Sequence, residues 1–243
     1  MSTLRSMQLA VDLDKFFDEL DNQRNNEQSS RDVDGKFHPS ALGDCRRKLY
    51  YAYHKTPPKH NIPVRLRRTF DHGSAVHSWV QDKLIKVFSD TDIRQYAQIE
   101  IEKSINKTDW ANSHNLAGSA DALITFTSDY NDIKSGEKVV YELKTSSSST
   151  WDSLRSPMTK HVMQANCYAA CLGADYILFD YYNKDKDVHK RFMVNASREI
   201  QVEISDMLLM AMLSCVSGDE IPREANAWSC SSCQYRYTCN PEI

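Results

Sequence analysis

Apolar and polar positions alternate most informatively in the middle of the chain. The run Val139-Val140-Tyr141-Glu142-Leu143-Lys144 is β-branched and aromatic, which predicts a short buried strand. Successive side chains point to opposite faces of a strand, so Glu142 and Lys144 project on one side and Leu143 on the other. Upstream, 117–126 is a second strand-like run with a lone acid, Asp121, inside it. The polar stretch 128–137 between them holds Asn131 and Gly136, turn formers that predict an antiparallel hairpin. That pairing can set Asp121 beside Glu142 on one face. Residues 98–102 alternate cleanly and predict a half-buried strand before the hairpin. Further strands are predicted at 175–182 and 191–194.

Helical periodicity surrounds these strands. Val11, Leu13, Phe16, Phe17 and Leu20 among acids predict an amphipathic helix over 7–22, followed by a polar linker at 25–35. Ser40 is the expected N-cap of a short helix carrying Cys45 and the basic triplet Arg46-Arg47-Lys48. Pro57, Pro58 and Pro63 then break the chain before a second basic cluster, Arg65, Arg67 and Arg68. From Phe70 a strong helical pattern runs to Val87, with Gly73 and His77 on one face. A serine-rich loop at 146–149 precedes a helix over 157–172, on which Gln164 and Tyr168 share a face four residues apart. A last apolar helix is predicted over 200–216. There are no internal repeats. The order of elements predicts an α/β fold with a mixed central sheet flanked by helices.

Composition narrows the class. At 243 residues the chain is long enough for one large domain, expected at 37–243, with a helix and linker at 1–36 as an appendage. A hydrophobic content of 41% supports a sizeable core. A net charge of −3 and a pI near 6.2 exclude a globally basic nucleic-acid coat and leave room for a local basic groove. No apolar run approaches the roughly 18 residues of a membrane span, and the N-terminus lacks a signal-peptide core. A cytoplasmic location with no membrane partner is therefore expected, and disulfides are rare there.

The 7 cysteines then become informative. Cys230, Cys233 and Cys239 follow a metal-ligand spacing that lacks a fourth member nearby. Cys45 is the best candidate for it, while Cys167, Cys171 and Cys215 fall in apolar helices and suit the core. Four thiolates suit zinc or an iron–sulfur cluster, and spacing alone does not choose. The second centre of chemistry is the hairpin. An acid and a lysine at the end of an apolar strand are costly to desolvate. Two adjacent carboxylates repel unless a cation sits between them. Asp121 and Glu142 therefore point to a divalent ion.

In this combination the sequence resembles RecB-like nucleases of the PD-(D/E)xK superfamily, most closely their iron–sulfur members. Those are the CRISPR-associated exonuclease-like and phage-encoded proteins. The resemblance runs from about Ser40 to Cys239 and rests on five short motifs in order. They are Gly73-x3-His77, Gly118-x2-Asp121, Glu142-Leu143-Lys144, Gln164-x3-Tyr168, and the one-plus-three cysteines. It implies a PD-(D/E)xK core whose ends are joined by a 4Fe–4S cluster on Cys45, Cys230, Cys233 and Cys239, with zinc as the alternative. It implies Mg²⁺ or Mn²⁺ held by His77, Asp121, Glu142 and the Leu143 carbonyl, with Lys144 orienting water or phosphate. Gln164 and Tyr168 are expected to contact the DNA strand, and Arg46 and Arg47, with Lys48, to line its path beside the cluster. The implied activity is a metal-dependent DNA exonuclease acting on single-stranded ends, in the host cytoplasm if phage-encoded. An endonuclease or a recombination or CRISPR-adaptation partner with the same chemistry is an alternative. A non-catalytic nucleic-acid-binding module built on a metal knuckle is another.

Overall fold

The computed structural model describes residues 15–16, 19–20, 34–58, 63–224, 230–231 and 233–240. The expected N-terminal helix over 7–22 therefore lies largely outside the described residues. The elements in order are α1 (Arg47–Tyr53), α2 (Val64–Asp90), β1 (Ala97–Ser104), α3 (Asp109–Ser113), β2 (Ser119–Phe126) and β3 (Lys138–Ser146). After these come α4 (Ser148–Ser153), α5 (Thr159–Leu172), β4 (Tyr176–Asn183), β5 (Val188–Asn195), α6 (Arg198–Ser217) and α7 (Arg236–Cys239).

The strands form one sheet in the order β1-β2-β3-β4-β5. Only the β3–β4 pair is parallel, because α4 and α5 cross between them; the other pairs are antiparallel. Each face of the sheet buries its own cluster. Val140, Ile177 and Phe179 pack with Leu49 of α1, Ala165 of α5, and Ile204 and Leu208 of α6. On the opposite face Ala122, Ile124, Tyr141 and Leu143 pack with Val76 and Val80 of α2. The alternation of β3 is thus divided between two cores: Leu143 meets α2, while Glu142 and Lys144 face α5. The predicted mixed sheet flanked by helices is what forms.

Several expectations are corrected. Ser40 caps no α-helix: Pro39–Ala41 is a single 3-10 turn, and α1 starts only at Arg47, so Cys45 sits just before it. That turn lies on the start of α5, where a Cβ on Gly43 would fall 2.3 Å from Lys160 Cβ, so only glycine fits. The long helix begins at Val64, not Phe70, with Pro63 as its N-cap, and the second arginine cluster lies on its first turns. The serine-rich loop runs into α4. Finally, α6 is long and apolar enough by composition to cross a membrane, which the sequence reading did not find. One face of it, Ile204, Leu208, Ala211 and Cys215, is buried in the first core.

Candidate active site

The site is built where β2 and β3 part. Their ladder ends at Ala122↔Tyr141, so the next step of the register would oppose Asp121 and Glu142. There the Asp121 side chain takes over from the ladder: its Oδ2 accepts from the Leu143 backbone N–H at 2.7 Å. Gly118 precedes this point with φ +149, and a Cβ there would meet Pro39 Cδ at 3.4 Å and Tyr168 Oη at 3.7 Å. The entry to β2 is therefore a glycine position by conformation, with Pro39 and Tyr168 in ordinary contact distance.

Around Asp121 the neighbouring elements converge. From α2, His77 Nδ1 lies 3.2 Å from Asp121 Oδ1. Burial acts to lower the His77 pKa, but the hydrogen bond and charge of Asp121 outweigh it, so the net shift is upward. Glu142 is buried, and Lys144 Nζ donates to its Oε1 at 2.6 Å. Burial pushes the Glu142 carboxyl up to about 7; Lys144 opposes that shift and Asp121 adds to it. Lys144 Nζ also donates to Gln164 Oε1 at 3.0 Å, and Gln164 Nε2 lies 3.5 Å from the Tyr168 hydroxyl. A polar chain thus runs Glu142–Lys144–Gln164–Tyr168 from β3 to α5. The Tyr168 hydroxyl, buried and near the charge of Glu142, has its pKa raised.

One atom in this chain is unsatisfied. Glu142 Oε2 is buried and has no hydrogen-bond partner. A buried, unpartnered carboxylate oxygen beside a second carboxylate is the donor set that suits a hard cation. Among the described residues no group of three or more His, Cys, Asp and Glu side chains is gathered for a metal. Asp121 and Glu142 are instead turned onto the Leu143 N–H and Lys144.

Arg46 and Arg47 lie elsewhere. Arg46 Nε donates to both Glu224 oxygens, at 2.9 and 2.8 Å. Arg47 donates through Nε to the Ile221 carbonyl at 2.6 Å and through Nη1 to Cys239 Sγ at 3.3 Å. Both guanidinium groups are taken by the C-terminal segment, so the structure does not bring them to Asp121 and Glu142. None of the seven cysteines is in a disulfide. Cys230 and Cys233 are joined through the Cys233 N–H to the Cys230 carbonyl at 3.2 Å. Burial raises the Cys233 thiol; Lys48 opposes that rise, and Cys230 and Cys239 add to it. The described C-terminal segment therefore packs on the start of α1.

Two further residues stand out. Asp180 on β4 is buried and accepts from Tyr141, His189 and Arg191 at 2.8 to 3.0 Å. His161 lies on the α5 face of Gln164 and is bonded to Tyr181 at 2.8 Å. The spacing of His161 with Gln164 and Tyr168, at i, i+3 and i+7, was the available signal for it.

The fold is similar to nuclease folds. No family model matches the sequence, and no curated protein matches it. Among solved structures, SSO0001 superposes with a TM-score of 0.55 at 16% identity, over 95% of this chain and 98% of that one. An alkaline exonuclease from Laribacter hongkongensis, LHK-Exo, superposes with a TM-score of 0.53 at 13% identity, over 80% of this chain and 94% of that one. The same enzyme in complex with dAMP gives a TM-score of 0.54 at 12% identity and the same coverage.

Proposed function

We propose that this chain is a metal-dependent DNA exonuclease of the RecB-like PD-(D/E)xK type, hydrolysing phosphodiester bonds at single-stranded ends. The observation that carries this reading is Glu142: a buried carboxyl with one oxygen on Lys144 and the other unpartnered, one register step from Asp121. The likeness to an exonuclease fold supports it.

The donor set fits a divalent cation, and Asp121, Glu142, His77 and the Leu143 carbonyl would hold Mg²⁺ or Mn²⁺. When bound, such an ion acidifies water and neutralises charge developing on the phosphate. The imidazole of His77 favours Mn²⁺, because nitrogen ligands suit transition metals. Lys144 keeps its ammonium fixed by Glu142 and Gln164, ready to donate to a phosphate oxygen. Gln164 positions that ammonium, and Tyr168 braces Gln164 from below. In its protonated form Glu142 would carry the proton on Oε2, because Lys144 donates to Oε1.

We further propose that Cys45, Cys230, Cys233 and Cys239 hold a 4Fe–4S cluster that joins the chain ends. The absence of a disulfide among them, the influence of Cys230 and Cys239 on the Cys233 thiol and the guanidinium on Cys239 Sγ suit a thiolate-bound metal core. A recombination or CRISPR-adaptation partner rests on the sequence resemblance alone. The test is digestion of end-labelled single-stranded DNA with Mn²⁺, on linear and circular substrates. Exonuclease action consumes the linear strand and spares the circle. Cutting of the circle would make the enzyme an endonuclease, and no cutting of either would overturn the reading.

A further inference from the structure

His161 is half-buried on the first turns of α5 and faces the same way as Gln164 and Tyr168. The Tyr181 hydroxyl accepts from the Met158 N–H at 3.0 Å and lies 2.8 Å from His161 Nδ1. A hydroxyl has one hydrogen to give, and the Met158 N–H already occupies an acceptor position. Placing the Tyr181 hydrogen on Nδ1 satisfies both contacts and leaves the ring hydrogen on Nε2, the arrangement we assign to this pair. Burial, and then the positive charges of Lys144 and Lys160, hold the His161 pKa down to about 3. The ring is accordingly neutral at physiological pH, in one tautomer, beside two lysines. Nε2 has no hydrogen-bond partner among the described residues and is not among the buried unsatisfied atoms. It is a donor open to solvent, on a ring held by Tyr181, which lies opposite Lys144 in the β3–β4 register.

We propose that His161 is a further substrate-contacting residue of this site, donating its Nε2–H to a phosphate oxygen of the bound DNA strand. The proposal rests on the nuclease reading above. A neutral donor suits this position because a charged ring would repel Lys144. A phosphate oxygen suits the donor because Lys144 and Lys160 make the surroundings electropositive. Tyr181 acts through His161: it fixes the tautomer and so aims the hydrogen.

Two substitutions separate donation from packing. His161→Asn keeps an acceptor for Tyr181 and removes the donor at the Nε2 position, whereas His161→Gln restores an N–H near that position. The Asn variant is expected to lose roughly 10- to 100-fold in kcat/KM, the range for a hydrogen bond to a charged group. The Gln variant should recover most of that loss. DNA affinity is measured alongside by fluorescence anisotropy, comparing Glu142→Gln with Glu142→Gln/His161→Asn. The double variant should bind single-stranded DNA more weakly. Nitrogen NMR of the imidazole should show the Nε2–H tautomer, uncharged at neutral pH. Unchanged kcat/KM and unchanged affinity in the Asn variant, or a ring protonated on Nδ1, would overturn the proposal. If the wild type binds DNA without cutting it, the nuclease reading fails and the anisotropy arm alone decides His161. If it does neither, both fall.

Discussion

Glu142 sets the behaviour of the site at the residue scale. Its carboxyl is raised from 4.5 to about 7, first by burial and then by Asp121, against the pull of Lys144. Between those two values the folded chain holds a proton that the unfolded chain has released. The metal-free protein should therefore lose stability as pH rises from about 4.5 through about 7. Urea unfolding in chelator should show that decline in the wild type and a flatter profile in Glu142→Gln. Adding Mn²⁺ should restore stability to the wild type at neutral pH and not to the variant; equal restoration in both would place the ion elsewhere. Cleavage should fall by several orders of magnitude in Asp121→Ala, Glu142→Ala and Lys144→Ala, with the fold kept in each. Gln164→Ala and Tyr168→Phe act one and two steps further from Glu142, so each should weaken cleavage without changing metal affinity measured by calorimetry. The acids and the lysine were legible in the sequence because a charge at the end of an apolar strand is conspicuous. Asp180 and His161 were not, since what marks them is a partner brought in by folding: Arg191 and His189 from β5, and Tyr181 from β4.

At the scale of elements, legibility follows how far an element depends on its own pattern. The core strands β3 and β4 announce themselves through β-branched and aromatic runs buried on both faces. The edge strand β5 runs from Val188, three residues earlier than expected, because its early positions are polar. Those polar residues are satisfied from outside the strand: His189 by Asp180, and Lys190 by the Trp151 and Leu154 carbonyls at 2.7 and 3.0 Å. The short α3 depends on a Thr108 cap that accepts from the Ala111 N–H at 3.2 Å, and a five-residue helix leaves no periodicity to read. The start of α2 was hidden by its arginines, although Arg67 is buried. Gly118 leads the chain into β2, three residues before Asp121. Gly118→Ala puts a Cβ at a φ of +149 and against Pro39 and Tyr168. It should cost about 1–3 kcal/mol in thermal or urea unfolding. It should also slow cleavage, because β2 carries Asp121 and α5 carries Tyr168. Wild-type stability and activity together would show that the entry to β2 tolerates a side chain.

For the whole molecule the decisive contact is between the two ends of the described chain. Arg46 pairs with Glu224, Arg47 reaches Ile221 and Cys239, and the rings of Tyr51 and Tyr235 lie 5.0 Å apart. All of these join α1 to the C-terminal segment; Cys45 stands just before α1, and Cys230, Cys233 and Cys239 stand in that segment. Holding them on one cluster would close a loop from Cys45 to Cys239, nearly the whole of the two-faced core. Closing so long a loop removes several kcal/mol of unfolded-state entropy in the chain-entropy model, with measured gains often smaller. Cysteine spacing singles out Cys45 as the partner of the C-terminal thiols; what folding adds is the contacts of Arg46, Arg47 and Tyr51 with that segment. Zinc sites more often use paired Cys-x2-Cys knuckles or cysteine with histidine, and Cys45 has no such neighbour in sequence. Protein purified without oxygen should therefore be brown, with a broad band near about 400 nm and iron and sulfide in near-equal amounts. Cys230→Ser should bleach it and lower the unfolding temperature, because metal binding and folding are coupled. Arg47→Ala removes the donor to Cys239 without removing a thiol, so it should keep the iron while shifting the cluster's reduction potential. Asp121 and Glu142 belong to a separate join of the fold, so colour and Mn²⁺ binding should be lost independently. A colourless protein made without oxygen, with one zinc per chain and no sulfide, would replace the cluster with zinc and leave the nuclease site standing.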